Sequence, residues 1–156
     1  MKSLIIYSSK KGTGEKIANY IKDSVDTEIQ IEKIKKGLEI NQNDYENIIL
    51  ISSVYAGTMN KEFIKFSENL LLNKNSEQKI YFLVVSGFEE KFQEFVENNI
   101  RNNLDKIDMI EYAGYCYDFN KMNFFEKFII KKVAKVNESV ENIRKDNIEK
   151  VIKKII

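Results

Sequence analysis

The sequence predicts an α/β fold of the doubly wound kind: one five-stranded parallel sheet with helices on both faces. Two observations predict it. Compact apolar runs at 2–8, 47–53 and 79–85 have the pattern of strands buried on both faces. Amphipathic segments at helical spacing alternate with these runs, and alternating strands and helices pack as a parallel sheet covered on both sides. No Pro/Gly/Ser linker or internal repeat divides the 156 residues, so 1–156 reads as one domain.

Along the chain, KSLIIYS (2–8) is the opening strand, and SKKGT breaks it. Ile17, Ala18, Ile21 and Val25 mark a helix over 14–25. Alternation in EIQIEKI (28–34) suits a second strand near an edge. NIILISS (47–53) is the third strand, followed by a loop and a helix over 60–72 carrying Phe63, Phe66, Leu70 and Leu71. KIYFLVV (79–85) is the fourth strand, and Phe92, Phe95, Val96 and Ile100 define a helix over 89–103. A fifth strand is predicted over 108–117, interrupted near Gly114. Two helices close the chain, one over 122–136 and one opened by an Asp146…Glu149 capping box.

Composition removes several kinds of chemistry. With no histidine and one cysteine, the chain has no Ser-His-Asp triad, no internal disulfide and no cysteine metal cluster. Any redox chemistry must then come from an organic cofactor. The net charge of +1 lacks the basic excess of a nucleic-acid binder. No run of about 18 apolar residues is present to span a bilayer, and the short Leu4–Tyr7 stretch is no signal-peptide core, which points to the cytoplasm.

In a doubly wound sheet, ligands sit beyond the carboxyl ends of the strands. That directs attention to loops 8–14, 52–60 and 86–90. In the first, Ser8, Ser9, Lys10, Lys11, Gly12, Thr13 and Gly14 place hydroxyls and backbone amides at a helix start, where the dipole favours a phosphate. The spacing matches neither a P-loop nor G-x-G-x-x-G, so an ordinary strand-to-helix turn is an equal alternative from this loop alone.

LIIYSSKKGTGEKIANYI resembles the first strand, phosphate loop and first helix of flavodoxins, and most resembles the flavodoxin-like, menaquinone-dependent type of protoporphyrinogen dehydrogenase. The similarity continues in DYENIILISSVYAGTMNKEFIKF and in YAGYCYDFNKMNFFEKFIIKKVAKV, in the same order. The resemblance implies a flavodoxin-like fold holding FMN. Its phosphate would lie in loop 8–14. Ser53, Val54, Tyr55, Ala56, Gly57 and Thr58 would lie along the isoalloxazine, with Tyr55 stacking and Gly57 freeing the backbone to turn toward N5. Ser86, Gly87 and Phe88 would meet its pyrimidine end and outer face, while Glu89 and Glu90 suit a helix start. Flavodoxins usually carry threonine where Gly14 stands, keep cations out of the loop holding Lys10 and Lys11, and are markedly acidic, as this chain is not.

The resemblance implies an FMN redox protein, transferring electrons or acting as an oxidoreductase on a porphyrin-pathway substrate. A dedicated electron carrier is the alternative, and a flavin-free scaffold a further one. The partner would be a redox protein or a quinone- or porphyrin-like small molecule. Cys116 reads as a small buried hydrophobe. In 118–136, Phe119, Phe124, Phe125 and Phe128 interleave with Lys121, Lys127, Lys131, Lys132 and Lys135. Such a stripe more often packs on the sheet with its lysines in water, although 122–136 also suits peripheral contact with a membrane.

Overall fold

The computed structural model describes residues 2–156. In chain order the elements are β1 (Ser3–Ser8), α1 (Thr13–Asp23), β2 (Ile29–Lys33), β3 (Asn47–Ser53), α2 (Lys61–Leu72), β4 (Lys79–Val85), α3 (Phe92–Asn99), β5 (Met109–Tyr117), α4 (Phe124–Val133), β6 (Val140–Ile143) and α5 (Lys145–Ile155). The strands lie in the order β2-β1-β3-β4-β5-β6. All neighbours run parallel except β5 and β6, which are antiparallel.

Side chains of each strand alternate between two cores. Ile5, Ile49 and Leu83 face α1 and α5, packing on Ile17, Ala18, Ile21, Ile148 and Val151. Leu4, Ile6, Leu50 and Phe82 face α2 and α3, packing on Phe63, Leu71 and Val96. The central strands are apolar at nearly every position because both faces are covered. The sheet is thus doubly wound as expected, with β2 at one edge.

Three expectations need correction. The sheet has six strands rather than five, because VENI (140–143) returns antiparallel beside β5. Its residues are all half-exposed or exposed, so it lacks the apolar signal that marks a buried strand. The interruption at Gly114 is a bulge within one continuous strand: Val84 opposes Tyr112 and Val85 opposes Gly114. Only glycine fits there, since a Cβ would meet the Asn142 carbonyl oxygen of β6 at 2.0 Å.

The second correction concerns helix ends. The segment 89–103 is helical only as a 3₁₀ turn at Glu89–Lys91 and the short α3. The Asp146…Glu149 capping box does not form. Arg144 precedes α5, whose cap receives no side-chain hydrogen bond, and Asp146 instead pairs with the Arg144 guanidinium at 3.2 Å. The third concerns α4, which does not pack on the sheet. Asn123 caps it through the Glu126 amide, and none of its residues is buried.

Candidate functional site

The carboxyl ends of β1, β3 and β4 lie side by side where the connections diverge, with α1 on one face and α2 on the other. Ligands of doubly wound sheets occupy this crevice. Between β1 and α1, Gly12 adopts φ +89°, a left-handed conformation that leaves α1 without a side-chain cap. The opening amides of α1 are therefore free for an anion, and the helix dipole adds to the attraction. The Ser9 hydroxyl is buried here with no hydrogen-bond partner, and the same holds for Ser53 at the end of β3. An unpaired buried hydroxyl is costly unless a ligand satisfies it. Ser8 and Thr13 are also buried in this loop.

Gly14 has a packing role. A Cβ there would stand 3.0 Å from the Ser9 Cβ and 3.4 Å from the Tyr7 ring, so a side chain at this position would need both neighbours to give by a few tenths of an ångström. The two loop lysines diverge. Lys10 lays its ammonium 5.1 Å from the Tyr55 ring centroid, and its amide donates to the Tyr55 hydroxyl at 3.2 Å. Lys11 turns outward, donating to the Lys121 carbonyl at 2.9 Å and pairing with Glu126 of α4 at 2.8 Å.

After β3, Val54 donates its amide to the Val85 carbonyl, joining this loop to the end of β4. Tyr55 and Thr58 exchange both backbone hydrogen bonds around Ala56 and Gly57, whose φ values of +50° and +76° make a two-residue type I′ turn. The turn is held from behind by Asn99 at the end of α3. Its side-chain amide donates to the Gly57 carbonyl at 2.9 Å, and its oxygen accepts from the Met59 amide at 2.9 Å. Met59 itself is buried in the core.

Beyond β4, the Ser86 hydroxyl accepts from the Phe88 amide at 3.1 Å, and the Tyr112 hydroxyl donates to the Ser86 carbonyl. Ser86 is thereby spent on shaping its own turn. Gly87 lies under the Tyr117 hydroxyl: a Cβ on Gly87 would meet it at 2.1 Å. Phe88 is half-buried. Glu89 serves structure, gripping Arg144 at 2.7 Å.

Three neighbours of these loops escaped the sequence reading. Tyr117 sits at the carboxyl end of β5, against Gly87; burial, then the Tyr115 and Tyr55 hydroxyls, push its phenol up. The rule that chose the other loops would have chosen this position too. Lys121 brings its ammonium within 3.5 Å of the point a Cβ on Gly12 would occupy. Asn99 carries no signal, since nothing in a helical segment announces a contact 42 residues back. A 330 Å³ cavity adjoins the loop, lined by Gly12, Thr13, Lys16, Cys116, Tyr117 and Lys121, among others. Cys116 is thus half-buried at the cavity wall rather than fully enclosed, and that partial burial, then Glu141, pushes its thiol up. Such a thiol is a poor nucleophile at neutral pH.

A sequence model of the flavodoxin domain family matches residues 4–143. No curated protein matches the sequence. Among solved structures, oxidised flavodoxin 2 from Bacillus cereus is similar at 21% identity and TM-score 0.56, covering 74% of this chain and 84% of its own. A Lactobacillus acidophilus flavoprotein in complex with FMN is similar at 14% identity and TM-score 0.52, covering 73% and 91%. Fusobacterium nucleatum flavodoxin bound to flavin mononucleotide is similar at 13% identity and TM-score 0.52, covering 70% and 68%. These likenesses support the fold.

Proposed function

Because the chain belongs to the flavodoxin domain family, we propose that it holds FMN beyond the carboxyl ends of β1, β3 and β4 and transfers electrons to a redox partner. The observation carrying this reading is the unpartnered, buried Ser9 hydroxyl beside the free amides of an uncapped helix start. Together they form a cradle for a phosphate monoester. Ser8, Ser9, Gly12, Thr13 and the Gly14 amide would hold the phosphate, with Lys10 and Lys11 tying the loop to its neighbours. Ser53, Val54, Tyr55, Ala56, Gly57 and Thr58 would flank one side of the ring, and Ser86, Gly87 and Phe88 the other. When bound, FMN supplies the redox chemistry, accepting and returning electrons. The residues do the rest: Tyr55 covers ring surface, the 54–58 turn excludes water, and Asn99 fixes the turn's shape.

Titration with FMN and with riboflavin tests the reading. FMN should bind at least about tenfold more tightly, since a charge-assisted phosphate contact contributes about 1.5–3 kcal/mol. Equal affinities would place the phosphate elsewhere. A catalytic version takes support from α4, whose exposed aromatic rings are tied to the phosphate loop through Lys11 and Glu126. In it, the flavin would remove hydrogen from a porphyrinogen-like or quinone-coupled substrate. Turnover of protoporphyrinogen by the FMN-loaded protein distinguishes it from a carrier.

A further inference from the structure

Helix α4 exposes an apolar surface that the rest of the described chain leaves uncovered. Phe124 is 87% exposed, Phe125 68%, Phe128 53%, Ile129 40% and Val133 58%. Phe124 and Phe128 form one i, i+4 row, and Phe125, Ile129 and Val133 form the adjacent one, so the five make a continuous strip. The half-buried positions Glu126, Lys127 and Ile130 occupy the opposite side, toward the body of the protein. The strip therefore points outward. Positive charge is concentrated in the same stretch of chain. Residues 119–136 contain Lys121, Lys127, Lys131, Lys132 and Lys135 against Glu126 alone, a net +4 in a chain whose total is +1, which leaves −3 for the remainder.

We infer that α4 lies in the plane of an anionic lipid surface, with its phenylalanines among the acyl chains and its lysines at the headgroups. Ten residues at about 1.5 Å each are too short to cross a bilayer, whereas an amphipathic helix bearing phenylalanine on one side and lysine around it suits the interface. The lysines are already placed for this. Lys132 holds its ammonium 5.8 Å from the Phe128 ring and Lys131 5.9 Å from the Phe119 ring, so both charges lie beside aromatic surface, from which a long lysine stem can carry them to headgroup level. A second copy of the chain is a poorer occupant, because the same lysines would face each other across the contact. An acidic protein would have to supply a groove shaped to this convex helix, whereas a lipid surface conforms to it, and the net +4 of the stretch matches anionic headgroups. The Lys11 contacts to Lys121 and Glu126 hold the docking helix beside the candidate flavin site. The inference stands without bound flavin.

Co-sedimentation of the full chain, free of flavin, with vesicles tests it. Phosphatidylglycerol–phosphatidylcholine vesicles should carry the protein down at low salt and release it as salt rises, and phosphatidylcholine alone should not. Lys131→Gln with Lys132→Gln should weaken partition about fivefold for each charge removed. Phe124→Ser, Phe125→Ser and Phe128→Ser together should weaken it at least about tenfold. Unchanged circular dichroism in both variants would exclude unfolding. Absence of sedimentation with the anionic vesicles, or equal partition by all variants, overturns the inference. So does a dimer that dissolves in the triple variant while vesicles are ignored, or capture by soluble polyglutamate in place of vesicles. Loss of FMN binding with vesicle binding intact would overturn the flavin assignment alone.

Discussion

Replacing Ser9 by alanine should move stability and cofactor affinity in opposite directions. In the flavin-free protein the Ser9 hydroxyl is buried without a partner. Leaving such a group dry costs about 1–3 kcal/mol, and alanine removes the group at little loss of volume. Ser9→Ala should therefore stabilise the apoprotein by about 1 kcal/mol, raising its melting temperature by about 2–4 °C for a chain of this length. With FMN bound, the same hydroxyl is expected to donate to a phosphate oxygen. Its loss should cost about 1.5–3 kcal/mol of affinity, or about 10- to 150-fold in Kd. Ser67 supplies the control. Its hydroxyl is equally buried and unpartnered, but it lies in α2 with the core on its own face. Ser67→Ala should stabilise the apoprotein without changing affinity. The assays are thermal unfolding of the flavin-free protein and quenching of flavin fluorescence on binding. Wild-type affinity in Ser9→Ala would remove the phosphate from this loop; a destabilised apoprotein would show that the hydroxyl has a structural partner.

Two other substitutions probe the scaffold. Ala56 sits at φ +50°, where a Cβ is unfavourable, so Ala56→Gly should stabilise the apoprotein by about 0.5–1 kcal/mol in urea unfolding; a loss would mean that the turn is not type I′. Asp108 accepts from the Ile80 amide at 2.9 Å and from Lys74 at 2.6 Å. Burial pushes its carboxyl up, but these donors and Lys79 outweigh burial and hold it below the usual carboxylate range. A lowered folded-state value contributes stability above the unfolded pKa of about 3.9 and forfeits it as pH falls through the folded value. Asp108→Asn should accordingly cost about 2 kcal/mol at neutral pH, and progressively less in acid. An equal loss at both ends of the pH range would show that the carboxylate's charge contributes nothing.

What was legible in the sequence follows from how each segment is covered. The strands at 2–8, 47–53 and 79–85 announce themselves because both faces meet core. β6 is short and partly wet on both sides, so it leaves no comparable trace. The Asp146…Glu149 spacing has the form of a capping box, yet a guanidinium two residues back competes for the carboxylate and wins. In α4 the phenylalanine spacing defines a face but not what lies against it: the same i, i+4 rows serve a core or an interface. The glycine-rich loop was legible as a candidate anion site from its hydroxyls and helix start, and the structure adds the uncapped start of α1 and the unpartnered Ser9 hydroxyl. The approach of Lys121 to Gly12, of Tyr117 to Gly87 and of Asn99 to Gly57 was not legible, because those contacts arise from chain segments that meet only once the sheet is built.

The pairing of Tyr117 with Val140 pins the two roots of the intervening excursion next to each other. Everything between them, α4 included, hangs from the sheet like a tool from a fixed handle. Its composition and length can drift from one descendant to another while the hydrophobic layers beneath keep their packing, because almost none of that packing depends on it. Natural variation would accordingly be written in that excursion, and constancy in the turns proposed to hold the flavin.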